Sequence, residues 1–296
     1  MSDQTGDLLK LTKAGDLRAF AKLLTALERQ GPACLKNHLE LLRPPHMAFR
    51  VGITGPPGAG KSTLIGRLIG MLRSLGLKVG VLAVDPSSPF TKGAILGDRI
   101  RYTEYFGDSG VFIRSLGSRG SLGGLSSSAY LMVRAFDLAG FDIVLLETVG
   151  VGQTELEIMN VADEVAVTLV PESGDSIQGM KAGLLEIANL FIVNKGDRPG
   201  ADIFARELEA ALHLDPRAPA KGIPILKTSA LTGDGLNDLI SHFQSVIVEG
   251  SWKLKREDLG RVRAEARSLL RNQAERQITE QTDTVQSLED FAHLFK

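Results

Sequence analysis

Hydrophobic and polar residues along most of this chain form blocks that predict strands followed by helices. Short apolar and β-branched runs predict seven strands, at 49–54, 78–84, 111–114, 141–146, 164–170, 190–194 and 223–227. Apolar residues three or four apart predict helices between most of them, at 62–75, 125–139, 176–188, 200–212 and 235–248. Apolar strands that alternate with helices are typical of a mostly parallel sheet with helices on both faces. The pattern predicts an α/β fold whose ligands lie beyond the carboxyl ends of the strands.

The two ends of the chain show a different pattern. Residues 1–47 read as helical, with one apolar stripe at Leu17, Phe20, Leu24 and Leu27 and the start of a second at Leu35, Leu39 and Leu42. After Gly250, charged helical patterns carry two narrow apolar stripes, whose residues need a surface on which to be buried. The first stripe comprises Val262, Ala266, Leu269, Leu270, Ala274 and Ile278, and the second comprises Val285, Leu288, Phe291 and Leu294. We therefore predict three parts: a helical extension at 1–47, an α/β domain at 48–249 and a helical arm at 250–296.

Composition and charge narrow the class of protein. Among 296 residues, 34 Lys and Arg nearly balance 35 Asp and Glu, so no overall field attracts nucleic acid or an anionic membrane. The single cysteine, Cys34, excludes an intrachain disulfide and a cysteine-based zinc or iron–sulfur site. We interpret Cys34 and His38 as a packed thiol and a solvated histidine rather than a metal pair. With no apolar run near the roughly 20 residues of a membrane span, we expect a cytoplasmic protein.

The clearest motif follows the first predicted strand. Residues 55–62 read Gly-Pro-Pro-Gly-Ala-Gly-Lys-Ser, which fits G-x-x-x-x-G-K-[ST]. Such a loop surrounds phosphates with backbone N–H groups and opens a helix whose N-terminus attracts anions. In this motif the ammonium of Lys61 contacts the β- and γ-phosphates and the hydroxyl of Ser62 binds Mg²⁺. The candidate nucleotide-binding residues of the loop are Gly55, Pro56, Pro57, Gly58, Ala59, Gly60, Lys61, Ser62 and Thr63.

Two other predicted strands run into a carboxylate. Asp85 follows the strand at 78–84, and Glu147 follows the strand at 141–146. A carboxylate after an apolar strand beside a phosphate loop is the arrangement that holds Mg²⁺ directly or through water. Each acid read alone could equally be a turn or helix-capping residue, but two such strand ends favour a metal or nucleotide role. Gly150, three residues after Glu147, would let the backbone approach a γ-phosphate.

A third strand end carries a guanine-reading pattern. Asn194, Lys195 and Asp197 follow a buried strand in the order N-K-x-D. The carboxylate of Asp197 can accept from the ring N1–H and the exocyclic amine of guanine, two donors that adenine does not present there. Ser229 and Ala230 follow the next strand, and their backbone N–H groups can meet guanine O6. The spacing after the phosphate loop favours GTP over ATP.

Long polar, glycine-rich loops lie between Asp85 and Glu147, at 86–101 and 114–128. Long loops within a compact domain are usually functional, and loops next to a nucleotide suit a switching role. Asp98 in the first loop is a further candidate metal ligand. Lys181, after the strand at 164–170, either reaches a phosphate or stays solvated, and the residues alone leave this open.

Six motifs taken together resemble one known family. They read GITGPPGAGKSTL, AVDPSS, GAILGDRIR, SRGSLGGL, ETVGVGQTE and NKGD, in this order, across about residues 45–250. This order resembles the MeaB/ArgK family of metallochaperone-type P-loop GTPases, accessory proteins of adenosylcobalamin-dependent methylmalonyl-CoA mutase. The resemblance implies a P-loop NTPase fold, a mostly parallel sheet flanked by helices, with helical N- and C-terminal extensions. It also implies that the C-terminal arm makes a homodimer.

The resemblance further implies roles for individual residues. It implies Mg²⁺ held near Ser62, Asp85, Asp98 and Glu147. Lys61, Asp85 and Lys181 are the implied catalytic residues, and Lys181 matches a lysine of the family's third switch that assists hydrolysis once the mutase is bound. Val151 stands where Ras-like enzymes carry a water-orienting glutamine, so we expect slow intrinsic turnover. Two departures are Lys92, where a second glycine is expected in the first switch loop, and an arm that is short for the family.

The expected function is Mg²⁺-dependent hydrolysis of GTP to GDP and phosphate, coupled to loading and protecting the cobalamin of an acyl-CoA mutase. The resemblance implies that cobalamin is met only through this partner, and it adds a cobalamin adenosyltransferase as a second partner. A nickel-delivery GTPase for urease or hydrogenase is one alternative, but it calls for a His-rich tract or a cysteine motif. An ATP-dependent kinase or transport ATPase is another, against which Asn194 and Asp197 argue. A regulatory scaffold with incidental hydrolysis is the third.

Overall fold

A seven-stranded sheet forms the centre of the computed structural model, which describes residues 4–85, 102–117, 127–148, 154–173, 186–214 and 222–283. The strands are β1 Phe49–Thr54, β2 Val79–Asp85, β3 Val111–Gly117, β4 Ile143–Thr148, β5 Glu164–Leu169, β6 Leu190–Val193 and β7 Ile225–Lys227. They lie in the order β3-β2-β4-β1-β5-β6-β7, and every pair is parallel. The predicted α/β class with a parallel sheet is confirmed.

Helices cover the sheet and extend from both ends of the chain. Those whose bounds the structure describes are α1 Gln4–Lys13, α2 Leu17–Gln30, α3 Lys61–Ser74, α4 Ser127–Leu138, α5 Thr154–Val161, α6 Ala201–Leu214, α7 Leu236–Glu249, α8 Ser251–Glu257 and α9 Leu259–Thr282. Most of the predicted helix at 176–188 lies outside the described residues. The pattern missed α5, whose two turns are too short to show a clear apolar period. No helix in the described ranges has the length and apolar character needed to cross a membrane.

Two hydrophobic clusters cover the two faces of the sheet. In β4, Val144 and Leu146 belong to the cluster that also contains residues of α2 and α4, whereas Ile143 and Leu145 belong to the cluster with α3 and α7. Successive side chains of a strand point to opposite faces, so a strand between two helical layers must be apolar at every position. This double burial explains why the strands read as continuous apolar runs.

The ends of every strand except β1 differ by one to three residues from the sequence-based prediction, most of all in β3 and β4. β3 continues to Gly117, past the predicted end at 114, because its backbone stays paired with β2 as far as Asp85. Arg114 and Ser115 interrupt the apolar pattern there, although the pairing continues. β4 begins at Ile143 rather than 141, and Phe141 instead packs against the rings of Phe20 and Phe136.

The N-terminal region follows the prediction only in part. Phe20, Leu24 and Leu27 of α2 are buried as the first stripe requires, and the Asp16 carboxylate caps α2 by accepting from Arg18 and Ala19 N–H. The second stripe is wrong as an α-helix, since Gly31–Lys36 and Leu39–Leu42 are short 3₁₀ helices. Three residues per turn change which side chains face inward, so Leu41 is buried and Leu39 is exposed. His38 is buried, not solvated as predicted, and Cys34 is buried as predicted.

The C-terminal part begins with a buried anchor. Trp252 of α8 is buried against Phe49, with ring centroids 5.5 Å apart. In the long helix α9, Leu269 is buried in the hydrophobic cluster that contains residues of α2 and α4. Val262, Leu270 and Ile278, which belong to the same predicted apolar stripe, are exposed. The second predicted stripe, from Val285 to Leu294, lies outside the described residues.

Candidate functional site

The loop that joins β1 to α3 is shaped by glycine at two close approaches. Gly55 has a φ of 135°, and a Cβ there would lie 2.1 Å from the carbonyl oxygen of Thr168 on β5. Gly60 has a φ of 82°, and a Cβ there would lie 2.5 Å from Nδ2 of Asn194. A side chain at either position would clash and strain the backbone. The glycines thus let the loop lie directly against β5 and the guanine-reading segment.

Lys61 begins α3 and turns back into this loop. Its side chain is buried, and Nζ donates to the carbonyl oxygens of Gly55 at 2.7 Å and Pro56 at 3.0 Å. These contacts are to neutral acceptors of the loop itself. The ammonium is therefore held among the backbone groups that surround phosphates in such loops.

Glu147 lies at the carboxyl end of β4, one strand away from the loop. Its carboxylate is buried and accepts from the hydroxyl of Ser62 at 2.5 Å and from the hydroxyl of Tyr102 at 2.8 Å. The sequence does not single out Tyr102, because it belongs to none of the six motifs. Ser62 and Glu147, both predicted as Mg²⁺ ligands, are thus in direct contact through a hydroxyl and a carboxylate oxygen.

The cavity beside these groups has the chemistry of a phosphate and cation site. Its volume is about 350 Å³. It is lined by Pro57, Gly58, Gly60, Lys61, Ser62, Thr63, Ala83, Val84, Glu147 and Thr148. Mg²⁺ prefers hard oxygen ligands and keeps several waters, and the Ser62 hydroxyl with the Glu147 carboxylate is a donor set that fits it. Asp85 ends β2 next to β4 in the sheet, so its backbone reaches the same edge, while its side chain lies outside the described residues.

Asn194 connects three loops at this edge. Its side chain is buried, and Nδ2 donates to the carbonyl oxygen of Ala59 in the phosphate loop at 2.8 Å. Its Oδ1 accepts from the backbone N–H of Ala230 at 3.2 Å and from the hydroxyl of Thr228 at 3.4 Å. The sequence selects this residue only as part of the N-K-x-D pattern. The structure places it where it also fixes the phosphate loop relative to the segment that follows β7.

Asp197 lies on the surface beside that segment. A hydrogen bond from Ser229, helped by the residue's own backbone N–H, lowers the pKa of the Asp197 carboxyl below its usual value. Lys195 has a φ of 56°, the left-handed region that is uncommon for residues other than glycine, and Gly196 N–H donates to Thr228 O at 2.8 Å. Asp197 is therefore an ionised acceptor on a loop tied to the 228–230 segment.

Arg67 is a second residue that no motif identified. From α3, two turns after Lys61, its Nε donates to Ala230 O and its Nη2 to Leu231 O, both at 3.0 Å. These bonds hold the candidate guanine-contacting loop against the phosphate-binding helix. The role of Arg67 could not be predicted from local sequence, because its partner Ala230 is 163 residues away.

The structure thus brings most of the predicted residues to one edge of the sheet. The phosphate loop, Glu147, Asn194, Ser229 and Ala230 are connected there by the bonds described above. Asp98, Gly150 and Lys181 lie outside the described residues. Among the residues that are described, no group of three or more His, Cys, Asp or Glu side chains is arranged to hold a metal ion.

A profile of one protein family, described as "Methylmalonyl Co-A mutase-associated GTPase MeaB", matches residues 20–284. The chain belongs to the MeaB family. The resemblance drawn from the six motifs is therefore confirmed, and with it the assignment as a P-loop GTPase. This MeaB-family chain is a GTPase, which hydrolyses GTP to GDP and phosphate.

Individual relatives agree with this assignment. A Pyrococcus horikoshii protein, named only by inference as a GTPase, is 45% identical over 89% of this chain and 85% of its own length. GTPase ArgK of Escherichia coli is 38% identical over 78% of this chain and 72% of its own. A solved structure described as an LAO/AO transport system kinase covers 94% of this chain and 86% of its own, with 27% identity and a TM-score of 0.67.

Proposed function

We propose that this GTPase is an accessory protein of an adenosylcobalamin-dependent acyl-CoA mutase, with methylmalonyl-CoA mutase as the favoured partner. In this proposal GTP hydrolysis gates the loading and the protection of the mutase's cobalamin. The observation that carries it is the family match across residues 20–284, whose description names a mutase-associated GTPase. A mouse relative, 36% identical over 71% of this chain, is named methylmalonic aciduria type A homolog and supports the same partner.

The geometry supports a division of work among the residues. Backbone N–H groups of the loop at 55–62 and the ammonium of Lys61 would bind the phosphates, and Asp197 would accept from the base. Mg²⁺, when bound near Ser62 and Glu147, would neutralise charge on the phosphates. The chemistry is in-line attack of water on the γ-phosphoryl group, in which positioning and charge neutralisation supply most of the catalysis.

Several assignments rest on the family alone and belong to the proposal. Asp85 and Asp98 would complete the surroundings of Mg²⁺, Gly150 would approach the γ-phosphate, and Lys181 would assist hydrolysis once the mutase is bound. The division into parts at 1–47, 48–249 and 250–296, with a homodimer formed through the last, belongs here too. So do a cytoplasmic location, a cobalamin adenosyltransferase as second partner, and contact with cobalamin only through the mutase.

The decisive experiment measures phosphate release from GTP with cobalamin mutases added one at a time. We expect slow turnover by the isolated chain and a clear rise with methylmalonyl-CoA mutase, and Lys181→Ala should lose that rise. An ATP arm should show little turnover in either condition. Rapid GTP hydrolysis by the isolated protein, undiminished in Lys181→Ala, would contradict the proposal.

The nickel-delivery alternative enters the same assay as a further arm. A solved HypB structure from Helicobacter pylori shares the fold, at 17% identity and a TM-score of 0.51, which carries no statement about metal delivery. Stimulation by a nickel enzyme awaiting its metal, with none by any mutase, would replace the proposed partner.

A further inference from the structure

Tyr102 is the first described residue after the loop at 86–101, and it is buried completely. Its ring belongs to the hydrophobic cluster of α3 and lies over Gly66, where an added Cβ would be 4.0 Å from the ring. Its hydroxyl nevertheless points to a charged group and donates to Oε2 of Glu147 at 2.8 Å. A phenylalanine would fill the same space, so packing alone does not account for the hydroxyl.

The segment that carries Tyr102 is fixed to the helix that carries Ser62. The hydroxyl of Tyr105 donates to Gly66 O at 2.8 Å, and Arg73 of α3 donates twice to the carboxylate of Asp108, at 2.8 and 2.9 Å. Tyr105 N–H also donates to Tyr102 O at 3.1 Å, which closes a turn. The phenol is therefore a donor on a rigid support.

Glu147 is consequently held by both of its oxygens. Oε2 accepts from Tyr102 and Oε1 accepts from Ser62, the residue that lines the cavity. Tyr102 fixes Oε2, so rotation of the carboxylate away from the cavity would break this hydrogen bond. Breaking a hydrogen bond to a charged acceptor in a buried site is costly.

We propose that Tyr102 is a positioning residue for the cation site: its hydroxyl holds the Glu147 carboxylate so that Oε1 faces Ser62 and the Mg²⁺ of the nucleotide complex. Groups that orient a ligand from outside commonly contribute 10–100-fold to metal affinity. Tyr102 also follows directly on the loop at 86–101, so a displacement of this residue would alter the cation site. The inference rests on the Mg²⁺ site of the proposed GTPase mechanism and not on the identity of the partner.

The test compares Tyr102→Phe with Tyr105→Phe in the full-length protein. Both variants lose one phenol hydroxyl from the same turn, but only the first hydroxyl contacts Glu147. The readout is the dissociation rate of a fluorescent GDP analogue during titration with MgCl₂, which requires no turnover. We expect the Mg²⁺ concentration at half-effect to rise about tenfold in Tyr102→Phe and to stay within twofold of wild type in Tyr105→Phe.

Each other outcome has a defined meaning. A Tyr102→Phe protein with the Mg²⁺ midpoint of wild type would overturn the proposal, since the hydroxyl would then serve the fold alone. An equal shift in both variants would overturn it too, because the effect would come from loosening the turn. If GDP release from wild type does not respond to Mg²⁺, the cation site itself is wrong and the role of Tyr102 falls with it.

Discussion

Buried charged groups lie at both the carboxyl edge of the sheet, where the parallel strands end, and the amino edge, where they begin. The two sets of groups differ in the partners that they contact. At the carboxyl edge, the described contacts of Lys61 are to backbone carbonyls and those of Glu147 are to hydroxyls. At the amino edge, three arginines surround two aspartates, and the charged groups contact one another directly. These residues are Arg50, Arg256 and Arg261 with Asp137 and Asp163.

The amino-edge group, which we call the arginine–aspartate cluster, joins the start of the sheet to the C-terminal helices. Asp163 accepts from the backbone N–H of Arg50 at 2.9 Å and from Nε of Arg256 at 2.7 Å. Asp137 accepts from the backbone N–H of Ala48 at 2.9 Å and also pairs with Arg50. Burial lowers the pKa of Arg50 to about 10, although Asp137 opposes the shift.

The described contacts at the two edges differ, and we expect the roles of the charged groups to differ with them. Charges that satisfy one another hold elements together, whereas charges held by neutral groups keep their field for a phosphate or a cation. The cluster should therefore matter for stability and the carboxyl edge for chemistry. Three substitutions test this division.

The largest effect is expected at the cluster. Asp163→Asn removes one of the two buried anions that pair with one buried and two half-buried arginines, and breaking a buried pair from one side typically costs about 3–5 kcal/mol. The urea midpoint should fall accordingly, while GTP hydrolysis by the folded fraction stays near that of wild type. Asp202→Asn is the control, because Asp202 pairs with Lys227 on the surface and should leave the midpoint unchanged. Equal midpoints for the two variants would contradict a structural role for the cluster.

Lys61→Ala should produce the next largest effect, but on the rate of GTP hydrolysis rather than on the urea midpoint. Loss of the ammonium should lower the rate of GTP hydrolysis by roughly 10²–10³-fold, the range seen when one electrostatic group is removed from a preorganised site. The urea midpoint should change little, since the described contacts of Lys61 are hydrogen bonds to loop carbonyls. Lys253→Ala, the same change at an exposed residue of α8, is the control for charge. A loss of stability as large as that of Asp163→Asn would break the comparison.

How much the sequence predicted also differs between the edges. The phosphate loop, the carboxylate at the end of β4 and the N-K-x-D segment have fixed local spacings, so they could be predicted from the sequence alone. Tyr102 and Arg67 contribute to it through partners 45 and 163 residues away, and such contacts depend on the fold rather than on local pattern. The cluster was missed for the same reason, because Arg256 is 119 residues from Asp137 and 93 from Asp163.

The helical ends were predicted least well. Apolar spacing alone cannot separate an α-helix from consecutive 3₁₀ turns, and the residues at 31–42 form such turns. The apolar stripe of α9 was expected to need a covering surface, and in the described structure the rest of the chain covers only Leu269 of it. Periodicity shows which side of a helix is apolar, but not how much of that side the rest of the chain covers.

Asp197→Asn makes at the carboxyl edge the same chemical change as Asp163→Asn makes at the other. Asp197 is exposed and ionised, and in the proposed mechanism its carboxylate accepts from the two guanine donors. An amide keeps the shape but presents one donor to them, so GTP affinity should fall roughly 100-fold, as expected for the loss of two hydrogen bonds to a charged group. The new amide N–H can instead meet the C2 carbonyl of xanthine, so affinity for xanthosine triphosphate should rise. Competition binding with the three nucleotides GTP, ATP and XTP measures the change, and Asp163→Asn should keep the wild-type order. If Asp197→Asn lowers all affinities equally, or Asp163→Asn alters the preference for guanine, the separation of the two edges fails.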